Sequence, residues 1–452
     1  MNIEMLEPGA PPSLNVLVLA YYFPPMGLSG VQRTLKFVKY LPEFGWRPIV
    51  LTAGETPYYA HDPSLLEETE PLVEGGLVRI VRTKQSGAPS TRLARKEGQT
   101  LKLPRERYQR MGSKLLQTIY QPDSRIKWRR PALTEAEAIF HEERIDAIYA
   151  TAPPFTDFLI ARDLSSKHHV PFLMDYRDGW VSNPVHNFYA TPFHKAYARK
   201  LEDSCLRASS AITVASRRLK EVLLRHYPYL RHEDVVIVHH GYDPVDMVRG
   251  EAASAKYRDR EKFRMTYGGL FHAGRAGKFR YSPVPLFQAV KLAIKQDSAL
   301  AGDIELAFAG VLQKEYIKTA EKLGLSANLR PMGYLPHREE VALLFASDVL
   351  WMTIPEDYSV PGKLYEYIGT HKPILGLVPS GSQAERHLKD YGAGVIVPPN
   401  DIPAIAAAIL ELYHKWHKSL LPHNVNIPFV QSFDRRQLTR EMARQLGLML
   451  RP

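Results

Sequence analysis

Two doubly wound α/β domains, each built on a parallel sheet, are what this sequence predicts, and three observations carry the prediction. Short apolar runs rich in Val, Ile and Leu recur between segments of helical period, the pattern of βαβ units with buried strands. The series breaks at His239-His240-Gly241-Tyr242-Asp243-Pro244, which has the Gly and Pro of a linker, and then starts again. The chain has 452 residues, too many for one core and suited to about two domains.

In order, the first half offers strands at Leu14–Ala20, Pro48–Ala53, Leu77–Val81, Ile145–Ala150, Pro171–Asp175, Ala211–Val214 and Val235–Val238. After the first of these comes a Gly/Pro loop, Tyr22 to Arg33 with Gly27 and Gly30, leading into a helix with Leu35, Val38 and Leu41 at helical spacing. Strand, glycine loop and helix form a phosphate-friendly order. It is neither G-x-G-x-x-G nor a P-loop, because Gly27 and Gly30 do not make up the first motif and no G-K-[ST] follows. The second half offers strands at Arg264–Gly269, Ile304–Gly310, Leu329–Gly333, Asp348–Ile354, Pro373–Leu377 and Gly394–Val397. The expected domains are 1–243 and 244–429, with a helical end at about 430–452 packing back on the first. Ligands of such sheets sit beyond the carboxyl ends of strands, so two facing domains are expected to share a cleft.

Composition narrows the class. With 45% apolar and 24% charged residues the chain reads as globular, and no apolar run reaches the roughly 18 residues of a membrane span. The amino terminus shows no secretory signal, which predicts a cytoplasmic protein. A single cysteine, Cys205, rules out an internal disulfide framework and a thiolate metal cluster, and its helical, apolar setting makes it a poor nucleophile. Of the net charge of +11, nearly all lies between Lys84 and Arg130, where thirteen cations face three acids. This block reads as an insertion that is either solvated or directed at an anionic acceptor or the inner face of an anionic membrane. Few aromatics interleave it, which argues against nucleic acid.

One stretch carries the densest chemistry. The strand ending at Ile354 runs into a polar loop closed by Pro361 and Gly362, and Lys363 onward opens a helix whose free N–H groups form an anion site. Lys363 and Glu366 lie three apart, hence on one helical face, where they either serve an anion and hydroxyl groups above the helix start or form an ordinary surface ion pair. A nucleotide sugar supplies both kinds of group.

Four stretches, in this order and spacing, resemble family 4-type (group 1) retaining glycosyltransferases, which have the two-domain GT-B fold: Tyr22-Phe23-Pro24-Pro25 through Gly30 and Arg33; Ala150–Pro154 with Asp175-Tyr176-Arg177-Asp178-Gly179-Trp180; His240-Gly241-Tyr242-Asp243; and Pro361–Tyr367 to Pro373. The resemblance covers roughly residues 14 to 415. It implies transfer of a sugar from a nucleotide-sugar donor to the hydroxyl of a saccharide or lipid-linked acceptor, in polysaccharide or glycolipid biosynthesis. Glu366 would hold the ribose hydroxyls, the backbone of Pro361, Gly362, Lys363 and Leu364 the diphosphate, and Gly30 would close over the donor from the other domain. Two departures stand out. The acid that the family often has eight positions before the ribose-binding one is Tyr358 here, with Glu356 and Asp357 adjacent. Where the family often has Gly-Arg-Leu, this chain has Gly268-Gly269-Leu270, so the cation for the diphosphate falls to Arg275, Lys278 or Lys363.

Lys363 and Arg275 are therefore the expected electrophiles, stabilising charge on the leaving diphosphate, with Asp178 orienting the acceptor hydroxyl or serving as part of a structural Asp–Arg lock. No metal motif is present, Asp175 and Asp178 reading as a hydrogen-bonded loop, and no cofactor beyond the co-substrate is expected. His239, His240 and His371 read as structural or lining residues. The same fold also serves epimerases and phosphorylases, and a non-catalytic nucleotide- or nucleic-acid-binding scaffold is a further reading.

Overall fold

The computed structural model describes residues 12–27, 29–54, 61–84, 120–183, 189, 191–271, 281–357 and 360–451. They form two compact units: residues up to His240 joined by the closing helix Arg435–Leu448, and Gly241–Asp434.

The first unit is a seven-stranded parallel sheet of β1 (Leu14–Leu19), β2 (Trp46–Thr52), β3 (Arg79–Arg82), β4 (Ala147–Ala152), β5 (Phe172–Tyr176), β6 (Ala211–Val214) and β7 (Val235–Ile237), in the order β3-β2-β1-β4-β5-β6-β7. Val16 to Leu19 are wholly buried, as a strand covered on both faces requires. The helix Ser29–Tyr40 buries Leu35, Phe37 and Val38 against the sheet, and Leu438, Met442 and Leu446 of the closing helix enter the same core.

The second unit is a six-stranded parallel sheet of β8 (Phe263–Gly268), β9 (Ile304–Ala309), β10 (Leu329–Gly333), β11 (Val349–Thr353), β12 (Ile374–Leu377) and β13 (Gly394–Val397), in the order β10-β9-β8-β11-β12-β13. Strand alternation splits its apolar residues between two faces. Met265, Tyr267, Val349 and Trp351 pack with helices Val284–Gln296 and Ile402–His417, while Leu350, Met352 and Ile354 pack with helices Gly362–Gly369 and Gln383–Tyr391. Thirteen strands thus stand where the apolar runs predicted them, to within a residue or two at each end. One local expectation changes: Gly30 lies in the first turn of a helix that opens at Ser29, so it is helical rather than part of the preceding loop.

Candidate functional site

In the second sheet the strand order reverses between β8 and β11, and a crevice at such a reversal is where open α/β sheets bind ligands. β8 ends in Gly268 and Gly269, and here the backbone follows a path that a side chain would block. Gly269 has φ +115° and Gly310, just past β9, has φ +123°, values that favour glycine. Gly269 N donates to Ala309 O and Gly310 N to Gly333 O, both at 2.6 Å, so the ends of β8, β9 and β10 form a continuous shelf. A Cβ on Gly269 would collide with Lys363 Nζ, and one on Gly310 with the Gly269 carbonyl.

Across the reversal stands the helix Gly362–Gly369, with Pro361 as its cap and no side-chain cap bond. Leu364 N donates to Pro361 O at 3.0 Å and the Leu364 side chain is buried, so this residue anchors the turn. The amides left without an acceptor among the described residues are those of Gly362 and Lys363. Lys363 Nζ donates to Tyr267 Oη at 2.9 Å and sits 4.1 Å from the centre of that ring. Glu366 Oε1 lies 3.1 Å from His337 Nε2, and His337 Nδ1 lies 3.7 Å from Asp246 Oδ2. The alternative of a surface Lys363–Glu366 ion pair is thereby corrected, since the two side chains take different partners.

A third carboxyl joins this group. A Cβ on Gly268 would collide with Glu340 Oε1, which places that carboxyl directly against the strand end. Burial, with a contribution from Glu366, pushes its pKa up to about 7, against the opposing pull of His337 and Lys363. The acids next to Tyr358 are engaged elsewhere: Glu356 Oε1 accepts from Tyr281 Oη at 2.7 Å and Asp357 Oδ1 from Gln383 N at 3.2 Å. An ammonium, two free helix-start amides and a glycine shelf can hold an anion, and Glu366 can accept from hydroxyls one helical turn away.

In the first sheet the order reverses between β1 and β4. The lock expected near Asp178 is formed instead by Asp175 and Arg33, both fully buried. Arg33 Nη2 meets Asp175 Oδ1 at 2.7 Å and Arg33 Nε meets Oδ2 at 2.8 Å, with Tyr149 and Thr213 hydroxyls also donating. Burial alone would raise the Asp175 pKa, but Arg33 outweighs it and holds the carboxyl below its usual range. Asp175 is thus a strand-end buried ion, not a member of a loop. Arg177 donates to the carbonyls of Gly30 and Pro153, tying the first helical turn to the segment after β4. Asp178 is half-buried and makes no hydrogen bond with the described residues. His239, pushed down to about 4 by burial with Arg33 adding, and His240, held well below its ordinary value by burial and then Arg33, are neutral near pH 7. Burial also raises the Cys205 thiol to about 12, leaving it unreactive.

Arg275 and Lys278 lie outside the described residues, as do Tyr358 and residues 85–119 of the basic block. At the block's described end, Arg125 stacks over Tyr21 and Tyr22, and Arg129 pairs with Asp163, so these two cations serve the fold. Sequence reasoning missed Tyr267, His337, Glu340 and Gly310. Gly310 carried a usable signal, a glycine closing a buried strand; the other three are joined to the site only by tertiary packing.

Two doubly wound sheets, one carrying a cation, free helix-start amides and a carboxylate around a strand-order reversal, are the architecture of the two-domain GT-B fold. Residues 29–246 match the model of Glycosyltransferase Family 4, and residues 270–424 that of Glycosyl transferases group 1. The chain belongs to this family 4-type, group 1 glycosyltransferase family. Over 89 residues it is 37% identical to a probable glycosyltransferase, WbjE, from Pseudomonas aeruginosa; the match covers 19% of this chain and 22% of that relative. Among solved structures it resembles Anabaena HepE in complex with UDP and glucose (14% identity, 96% of this chain and 100% of that one, TM-score 0.61). Sucrose-phosphate synthase from Thermosynechococcus elongatus (14%, 95% and 98%, TM-score 0.63) and the UDP-GlcNAc 2-epimerase from Neisseria meningitidis (11%, 96% and 100%, TM-score 0.56) share the fold.

Proposed function

We propose that this glycosyltransferase takes its sugar from a nucleoside diphosphate sugar bound in the second unit, and transfers it with retention to an acceptor hydroxyl in polysaccharide or glycolipid assembly. The observation that carries this reading is the placement of Lys363 Nζ against Gly269, beside the free amides of Gly362 and Lys363, with Glu366 one turn further along the same helix. The diphosphate would lie on the glycine shelf, and Glu366 would accept hydrogen bonds from the ribose hydroxyls. As the bond from the anomeric carbon to the phosphate oxygen breaks, charge grows on the diphosphate, where Lys363 and the helix start stabilise it without a metal ion. The acceptor oxygen forms the new bond on the face the diphosphate leaves, and its proton passes to a diphosphate oxygen. Asp178, half-buried and making no hydrogen bond with the described residues, is the carboxylate that would orient an acceptor on the first unit.

The test is a screen of UDP-, GDP- and other nucleotide sugars against pooled saccharide and lipid-linked acceptors, with chelator present, read by mass spectrometry. The proposal expects release of nucleoside diphosphate only with acceptor, and a product of retained anomeric configuration. An epimerised sugar formed without acceptor would overturn it.

A further inference from the structure

Glu340 is an acid of the second unit's site that the transferase reading leaves without a task. It stands on the helix His337–Phe345, and its Oε1 lies against the end of β8, where a Cβ on Gly268 would collide with it. Its acidic neighbours have partners. Glu366 and Asp246 reach His337 at 3.1 and 3.7 Å, and Glu339 takes Lys256 and the Tyr257 hydroxyl. Lys363, the nearby ammonium, is drawn to Tyr267. Glu340 itself makes no hydrogen bond or ion pair with the described residues. Folded proteins ordinarily give such a carboxyl a partner, so one left without calls for an explanation.

The groups around it set its charge. From the helix Gly362–Gly369 come Lys363, Glu366 and the Tyr367 hydroxyl, which accepts from Gly268 N at 2.7 Å. From its own helix comes His337, with Asp246 of the helix Pro244–Ala253 behind that ring. Burial and then Glu366 raise the Glu340 pKa, His337 and Lys363 lower it, and the balance lies at about 7. Near neutrality the free protein is therefore a mixture of the two forms. A diphosphate on the glycine shelf at the end of β8 adds negative charge beside a carboxyl to which no cation is bonded. Ionised, Glu340 repels that charge; protonated, it has an O–H to donate. One such charge about 8 Å away, at an effective dielectric of about 20, raises a carboxyl pKa by roughly 1.5.

We propose that Glu340 is a donor-binding residue that works in its protonated form, so that the nucleotide sugar binds together with a proton taken up on this carboxyl. The inference rests on the donor reading above and adds a pH dependence to it. Because the bound anion favours the neutral carboxyl, donor affinity is full below about 7, the value in the free protein, and falls as pH rises toward the higher value of the complex.

The test is calorimetric titration of the full chain with a panel of UDP-, GDP-, dTDP- and ADP-sugars, the tightest binder being repeated in buffers of different ionisation enthalpy. The diphosphate of a nucleotide sugar does not titrate near neutrality, so protons taken up belong to the protein. The parent should take up about two-thirds of a proton at pH 7.5, and Kd should rise about eightfold from pH 7 to 8.5. Glu340→Gln keeps the shape and is neutral at every pH, so it should bind with little proton uptake and a nearly flat Kd. His337→Gln, which removes the other nearby group able to gain a proton, should keep most of the uptake whatever its effect on affinity. A sugar nucleotide that binds without proton uptake, or with an uptake that Glu340→Gln leaves unchanged, would overturn this inference and leave the donor reading standing. Binding of none of the panel would overturn both.

Discussion

Replacing Lys363 by methionine tests the division of labour at the second sheet's reversal point. Methionine keeps the length and apolar body of the side chain, so it fills the space beside Gly269 and over the Tyr267 ring while removing the charge and the 2.9 Å hydrogen bond to Tyr267 Oη. The hydroxyl left behind loses one partner, a loss of about 1 kcal/mol in folding stability. The catalytic loss is larger. A preorganised group facing charge that develops only in the transition state contributes about 2.7 to 4 kcal/mol, or about a hundred- to a thousandfold in kcat. A ground-state diphosphate contact to the same ammonium accounts for about 1.5 to 3 kcal/mol of donor affinity. Nucleoside diphosphate release at saturating donor gives kcat, and calorimetric titration gives donor Kd. The expected result is a fall in kcat exceeding the rise in Kd, with a thermal midpoint close to the parent's. Unchanged kcat, or a loss wholly in Kd, would refute the assignment of Lys363 to the leaving group.

Gly269→Ala and Gly310→Ala should each cost about 1 to 3 kcal/mol from backbone strain, more at Gly310 where the added methyl meets the backbone carbonyl of Gly269; urea unfolding measures it. Arg33→Met should lose about 3 to 5 kcal/mol by leaving Asp175 buried and uncompensated, and pairing it with Asp175→Leu should recover part of that loss in the same assay. Because Arg33 holds the Asp175 pKa below the unfolded value of about 3.9, the stability from that pair is complete above this value. It is lost as pH falls through the folded pKa, an acid limb that Asp175→Asn should remove from the melting profile. Glu340 behaves oppositely: its folded pKa of about 7 is raised, so stability is full below the unfolded value near 4.5 and declines as pH rises through about 7. Glu340→Gln should flatten that decline in the melting profile, leaving a residue from Glu202, whose carboxyl is also at about 7.

The strands were legible because a parallel sheet covered on both faces leaves a run such as Val16 to Leu19 no polar option, and that constraint is local. Legible too was the helix start at Pro361-Gly362-Lys363, where proline and glycine punctuate the chain. The partners of its side chains were not. Lys363 reaches Tyr267, 96 positions earlier, and Glu366 meets His337, 29 positions earlier, and no periodicity encodes which strand end lies beside which helix. The same limit explains the Asp–Arg lock. Arg177 lay next to Asp178 in sequence, but the guanidinium that neutralises the buried aspartate is Arg33, 142 positions from Asp175, a pairing made only by tertiary packing. Glu340 gave no sign at all: in sequence it is one acid in His337-Arg338-Glu339-Glu340, and only the missing side chain of Gly268 makes room for it.

The measurement closest to the central claim is calorimetric titration of the nucleotide sugar that stabilises the parent most against Glu366→Ala. Losing a charge-assisted acceptor for the ribose hydroxyls should raise Kd about ten- to a hundredfold, from about 1.5 to 3 kcal/mol, with the thermal midpoint of the free protein near the parent's. An affinity equal to the parent's would place the nucleotide elsewhere and contradict the account.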